Sequence, residues 1–264
     1  MLFSGLGTSY CVDAVASELI GFPAGGVFSG PGMDNSIAGK NIFRPALAGV
    51  GTHTIKYTYT DGNSCTNYFE RLVVIHALPV VSFSGFNNTG PGSTAQYPQD
   101  APSIALTGTP SGVFYSGKGM AGNIFSAGPS GPGTHIIRYT YSDENECSNF
   151  NEQIVTVVPL PEVGIGIMPD YFCSKDPDFL ISGSPSGGTF SGPGIIAGTT
   201  VFRPSNAFIG SNTIRYTYKD PVSGGTNFIE KTITVYKVPE VTFSGLNPSY
   251  SVDSSICTIK RIPF

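Results

Sequence analysis

Apolar and polar residues alternate along Thr54-Ile55-Lys56-Tyr57-Thr58-Tyr59-Thr60, with Ile55, Tyr57 and Tyr59 on one side and Thr54, Lys56 and Thr58 on the other. A period of two with one apolar face predicts a strand in a two-layer sheet. Asp61-Gly62-Asn63 then predicts a turn, because Asp and Asn bond their own backbone and Gly accepts positive φ. Phe69 to Ile75 supplies a second strand and closes a hairpin. Upstream, Gly26-Val27-Phe28-Ser29 and Asn41-Ile42-Phe43-Arg44 predict two short strands, separated by Gly30-Pro31-Gly32, which no helix tolerates. Phe3 to Leu6 and Ser17 to Ile20 provide the first two. Roughly six or seven short strands with a turn signal every 8–12 residues predict an all-β fold, a β-sandwich of immunoglobulin type, with a small barrel as the structural alternative. Helix is signalled nowhere with any force; Val12 to Ile20 is the best candidate, and one turn there would leave the all-β reading unchanged.

This pattern is written three times and begun a fourth. Phe3-Ser4-Gly5-Leu6 returns as Phe83-Ser84-Gly85-Phe86 and Phe243-Ser244-Gly245-Leu246, with Ile165-Gly166-Ile167 between. Ile55-Lys56-Tyr57-Thr58-Tyr59 returns as Ile137-Arg138-Tyr139-Thr140-Tyr141 and Ile214-Arg215-Tyr216-Thr217-Tyr218. A period of about 80 residues exceeds that of a solenoid unit and suits a small domain. The expected domains are 1–79, 80–162 and 163–239, with the start of a truncated fourth over 240–264. They meet at Ala77-Leu78-Pro79-Val80, Leu160-Pro161-Glu162-Val163 and Val238-Pro239-Glu240-Val241. Short Pro-containing linkers restrict the chain and predict an extended, semi-rigid rod on the order of 100 Å long.

Composition narrows the function classes. Charged residues are 12% of the 264, about half the usual share, and the net charge is −4. Lys and Arg are scattered with no basic block, which gives no support to nucleic-acid binding. No apolar run approaches the roughly 20 residues of a membrane span. Met1-Leu2 runs straight into the repeat at Phe3, so the chain is expected to be a slice of something longer.

Gly26-Val27-Phe28-Ser29-Gly30-Pro31-Gly32, Phe43-Arg44-Pro45, and the run from Gly51 to Cys65 together resemble the repeat of very large secreted surface proteins of Bacteroidota. The third unit repeats the signature as Gly188-Thr189-Phe190-Ser191-Gly192-Pro193-Gly194 and Phe202-Arg203-Pro204. The arrays resemble those of giant gliding-motility adhesins exported by the type IX secretion system, and the resemblance runs to about Ser255. It implies an Ig-like or PKD-like module, extracellular and attached to the cell surface, acting as a stalk or adhesive segment. The pattern loosens in the second unit, where Gly119-Met120 follows an inserted Tyr115 and Ser126-Ala127 replaces Arg-Pro.

Five cysteines are the first candidate chemistry. Cys11 and Cys65 share the first unit, the second keeps only Cys147 (Pro98 stands at the earlier position), and the third keeps only Cys173, with Gly224-Gly225 at the later position. The spacing does not suit zinc, and no histidine is near. An intra-unit Cys11–Cys65 disulfide is the expected pairing, contributing about 3–4 kcal/mol by loop closure. Cys147 and Cys173 either bond across the joint or remain free and buried, and Cys257 has no evident partner. Asp61, Asp143 and Asp220 follow each Tyr-Thr-Tyr and are calcium candidates by their recurrence, although an Asx-turn is the preferred account of them. Glu70, Glu152 and Glu230 each lie three residues after an Asn, a regularity that fits cross-strand pairing rather than catalysis. His53 and His135 share one strand position, Asn212 stands there in the third unit, and His76 is alone. No serine, cysteine or carboxylate stands beside a histidine in a nucleophile motif, so no catalytic or cofactor-binding residue is expected.

These readings converge on a non-enzymatic stalk of a secreted bacterial surface adhesin, supplying reach and multivalent display for adhesion or gliding. Its expected partners are other repeats of the same protein, and surface glycans or the substratum. A glycan- or calcium-binding module is one alternative. A self-assembling filament subunit, in which the incomplete fourth unit completes a neighbour's sheet by strand addition, is the other.

Overall fold

The computed structural model describes residues 1–34, 36, 38–87, 94–112, 114–242 and 244. The fourth repeat expected over 240–264, the strand addition built on it and Cys257 lie outside these residues, apart from 240–242 and 244.

The alternating segments form long hairpins. Gly51–Thr60 and Thr66–His76 pair antiparallel from Gly51 opposite Ile75 to Thr60 opposite Thr66. Val27–Ser29 adds to the outer edge of the first hairpin strand, and Ser9–Cys11 runs parallel to the second, with Cys11 opposite His76. Against this four-stranded sheet pack a pair, Leu2–Ser4 with Ile20–Phe22, and a triplet of Ser17–Glu18, Ile42–Phe43 and Met33–Asp34. The other two repeats follow the same plan. Their four-stranded sheets are Ala95–Pro98, Ser148–Val158, Gly133–Ser142 and Phe114–Ser116, then Tyr171–Cys173, Thr226–Tyr236, Gly210–Lys219 and Thr189–Ser191. The chain is thus all-β, a tandem array of small immunoglobulin-like sandwiches whose sheets stay separate rather than closing into barrels.

Each repeat has its own core. Phe3, Leu19, Phe28, Phe43, Ile55, Tyr57, Val73 and Ile75 fill the first, and matching residues fill the second and third. At the centre stands the middle residue of Ile-x-Tyr-Thr-Tyr: Tyr57, Tyr139 and Tyr216 are each at most 2% exposed. Their hydroxyls donate to the carbonyls of Pro23, Pro110 and Pro185, which satisfies the one polar atom that a buried tyrosine carries. Glycine faces each ring. A Cβ on Gly21, Gly108 or Gly183 would lie 2.1–2.2 Å from ring carbon, so no other residue fits there without displacing the tyrosine. Apolar alternation and the opposing glycines thus specify one packing in all three repeats.

Two local details go beyond or against the sequence pattern. Helix does not form over Val12–Ile20, where Ser9–Cys11 ends in a turn and Ser17–Glu18 resumes as strand. One helical turn forms instead at Pro45–Ala48, with counterparts at Ala127–Ser130 and Pro204–Asn206. Pro at the first helical position has its φ preset, and the extended Arg44 before it is the conformation that proline imposes on its predecessor. Nor is Tyr115 an insertion. It stands opposite Tyr139 as Phe28 stands opposite Tyr57 and Phe190 opposite Tyr216.

By contacts the chain forms two compact units, Met1–Leu160 with Asp220–Gly225, and Pro161–Lys219 with Thr226–Phe264. The first therefore contains two repeat cores and the second one.

Candidate functional site

Most residues singled out by recurrence serve the repeat itself. Asp61 Oδ1 accepts the backbone N–H groups of Asn63 and Cys65, and Asp143 Oδ1 accepts those of Asn145 and Cys147, each at 2.9 Å. Asp220 accepts from Val222 N–H at 3.0 Å and Ser223 Oγ–H at 2.7 Å, hydrogen bonds that hold its carboxyl below the usual range. The calcium candidates are therefore the turn-makers of three hairpins. Among the described residues no cluster of three acidic, His or Cys side chains is placed to hold a metal.

The recurring glutamates pair across the hairpin, Glu70 with Lys56, Glu152 with Arg138 and Glu230 with Arg215, at 3.5, 2.7 and 2.7 Å. The same cations cover the rings of Tyr68, Phe150 and Phe228 at 3.6, 4.1 and 4.1 Å. One face of each of these half-exposed aromatics is thus already taken. His53 Nε2 bonds the Gly49 carbonyl and His135 Nε2 the Gly131 carbonyl, both at 2.8 Å. Asn212 does the equivalent work in the third repeat, donating to Phe208 and Gly210 and accepting from Phe208 N–H. These side chains lock the chain as it leaves the helical turn. His76 lies at the end of its strand opposite Cys11.

Arg44 and Arg203 of the Phe-Arg-Pro motif find different carboxylates. Arg203 forms a two-pronged pair with Asp178, which holds that carboxyl below its usual range. Arg44 pairs with Asp34 at 2.5 Å. Hydrogen bonds from Ser36 and then Arg44 take the Asp34 carboxyl from 3.8 to about 2. In the second repeat the position is Ser126, and its hydroxyl meets that of Ser103, the counterpart of Asp178, at 2.8 Å. The departure at Ser126 is compensated by its partner.

The cysteines hold the feature that recurrence did not reveal. Cys11 is bonded to Cys147, with Cα atoms 5.5 Å apart across 136 residues of sequence, so the disulfide joins the first repeat to the second. The expected Cys11–Cys65 pair is not formed, and neither is Cys147–Cys173. Cys65 and Cys173 are free and exposed. Strand length gives the reason. Cys65 immediately precedes Thr66, whereas Cys11 stands opposite His76 at the other end of that 11-residue strand. At about 3.3 Å per residue the ends lie about 35 Å apart, against the roughly 7 Å that a disulfide allows. The turn of the second repeat comes instead to the far pole of the first, and Cys147 is fully buried there. Asn149 at the base of the same hairpin donates Nδ2–H to the Pro79 carbonyl of the joint at 2.9 Å, and Gln153 donates to the Phe83 carbonyl at 2.6 Å. Within the second unit, Asn227 repeats the first of these bonds to Pro161.

No protein-family model matches the sequence, and neither does any curated protein. Solved structures with a similar chain path include a Ca2+-stabilized adhesin that helps an Antarctic bacterium reach out and bind ice. It is 12% identical, with 91% of this chain and 74% of that one covered and a TM-score of 0.34. They also include Drosophila N-cadherin domains EC1–4, at 11% identity, 86% and 72% coverage and a TM-score of 0.27. Immunoglobulin domains 1–5 of Sidekick-1 are 12% identical over 90% of this chain and 60% of that one, with a TM-score of 0.24. Likeness at this level carries nothing about ligand or partner. No helix among the described residues is long and apolar enough to cross a membrane.

Proposed function

We propose that this chain is a non-enzymatic spacer segment of an extracellular, cell-surface adhesin, its repeats setting reach and display while binding is done elsewhere in the assembly. The observation that carries this reading is the Cys11–Cys147 disulfide. A covalent bond between successive repeats fixes their separation, which matters to a spacer and not to an isolated binding domain. A disulfide also fits an oxidising, extracellular setting. The recurrent polar residues (the turn aspartates, the hairpin ion pairs and the clamp made by His53, His135 or Asn212) serve equivalent structural ends in every repeat, as befits an element valued for copy number. The sequence resemblance to surface-adhesin repeats of Bacteroidota gives the same class, with gliding motility and type IX export as its finer form.

The test places the chain between a bead and a known binding domain. Adhesion is expected to survive replacement of this chain by an unrelated tandem-sandwich segment of equal length, and to fall when the segment is shortened. Beads carrying this chain alone should not adhere, and a glycan array should retain nothing. A saccharide held by this chain would overturn the reading in favour of a glycan-binding module.

A further inference from the structure

The cysteine pattern obeys a positional rule that the bonded pair reveals. Cys11, Pro98 and Cys173 are one position. They stand opposite His76, Val158 and Tyr236 in the parallel strand pair, and the same turn follows each, with Ala14, Ala101 and Asp176 donating N–H to their carbonyls. Cys65, Cys147 and Gly225 are a second position. Their carbonyls accept N–H from Asp61, Asp143 and Asp220 in the three hairpin turns. The disulfide links the strand-end position of one repeat to the turn position of the next. The following instance of that pairing, within the first compact unit, has cysteine at neither position. A Cβ on Gly225 would lie 3.0 Å from the Cβ of Pro98, so the two positions still meet.

Two half-staples remain, a turn cysteine at Cys65 and a strand-end cysteine at Cys173, both free and exposed. The turn position is fully buried at Cys147, where a neighbouring repeat is bonded to it. The free thiol of Cys65 also lies at a concavity. A cleft of about 310 Å³ at the first turn is lined by Cys65 with Pro23, Tyr59, Asp61 and Asn67, the last being the counterpart of the joint-binding Asn149. Another of about 470 Å³ is lined by residues on either side of Cys173 in the sequence, among them Tyr171, Phe172, Asp176 and Phe179.

We propose that Cys65 and Cys173 are complementary docking points through which one copy of this chain is stapled to a second copy. Cys173 of the first copy bonds Cys65 of the next in the arrangement of Cys11 with Cys147. The step is thiol–disulfide exchange with a small-molecule disulfide such as oxidised glutathione. The Cys65 thiolate attacks it and releases one glutathione thiolate. The Cys173 thiolate of the second copy then attacks the Cys65 sulfur and displaces the other. Two protein thiols are oxidised, one glutathione disulfide is reduced to two thiols, and the two protein protons pass through solvent to the released thiolates.

The experiment uses the full chain with Cys257→Ser, incubated at high concentration in a glutathione redox buffer, with cross-links identified by peptide mapping. Variants C65S and C173S, tagged differently and mixed, should give one heterodimer, linked Cys173 to Cys65. In the chain that keeps both thiols, that linkage should exceed Cys65–Cys65 and Cys173–Cys173 by about tenfold, the ratio expected from a docking preference of about 1.4 kcal/mol. The same mixture in denaturant should fall to the random distribution. A random distribution under native conditions, or no linkage between copies, would overturn the proposal. Either result would leave the spacer reading standing, since that rests on Cys11–Cys147.

Discussion

The contact between Cys11 and Cys147 and the contact between Pro98 and Gly225 occupy equivalent places and are made differently. One is a covalent bond behind a fully buried sulfur; the other sets a proline ring against a bare glycine backbone. Both turns open on an aspartate whose N–H donates to the carbonyl of Cys147 or Gly225, although the turn of the third repeat is one residue longer. The repeat geometry therefore does not depend on the staple, and the staple is an addition made where two positions already meet.

Breaking the bond is the strongest test of that comparison. Cys147→Ser or chemical reduction should cost the first unit up to about 5 kcal/mol in the chain-entropy model, given a closed loop of 136 residues. Calorimetry with and without reductant should show the transition of the first unit move down while that of the third repeat stays in place. Conversely, Pro98→Cys with Gly225→Cys should close a second bridge on oxidation, seen as the loss of two hydrogens in intact mass. The 3.0 Å approach needs a shift of under about 1 Å to reach ordinary disulfide spacing. Failure to close would break the equivalence of the two contacts.

The third test concerns what the repeats share. Gly183→Val drives a side chain into the Tyr216 ring and should destabilise that repeat by about 2–3 kcal/mol, read from its own melting transition. The second repeat offers a change of opposite sign. Tyr115 has a buried hydroxyl without a hydrogen-bond partner among the described residues, and burial raises its pKa. Tyr115→Phe restores the residue of the other two repeats and should stabilise by about 1 kcal/mol in denaturant titration.

How far the sequence disclosed this depended on how local the cause was. The long hairpins, the buried tyrosines and the turn aspartates were legible, because alternation and turn chemistry act within about ten residues of each position. Ser9–Cys11 was not, since a three-residue strand carries no periodicity and gains its place by lying parallel to Thr66–His76. Cysteine pairing was misread for a related reason. Sharing a repeat suggested proximity, whereas the length of one strand puts Cys11 and Cys65 at opposite poles. The partner of Ser126 was equally hidden, because Ser103 meets it only once the short sheet forms.

The smallest effects sharpen that last comparison. Ser103→Asp with Ser126→Arg should rebuild in the second repeat the pair formed by Asp178 and Arg203, and gain at most about 1 kcal/mol, since the original is solvent-exposed. Asp34 in the first repeat gives a signature in acid. Its carboxyl titrates near 2 when folded against 3.8 otherwise, so its contribution is complete above about pH 4 and is lost as the pH falls through 2. Asp34→Asn should remove that part of the acid dependence, measured as the difference between wild-type and variant melting temperatures across the range.

The parallel pairing of the short early strand with the last strand of each repeat has a consequence under tension. Pulled from its two chain ends, a repeat loads Ser9–Cys11 and Thr66–His76 in opposite directions along their shared axis. Their hydrogen bonds then bear the load together, in shear, instead of opening one at a time as in a peeled hairpin. The same holds for Ala95–Pro98 against Ser148–Val158 and for Tyr171–Cys173 against Thr226–Tyr236. At the first of these clamps the sulfur of Cys11 stands at the point where slippage would begin, so that clamp is riveted to its neighbour.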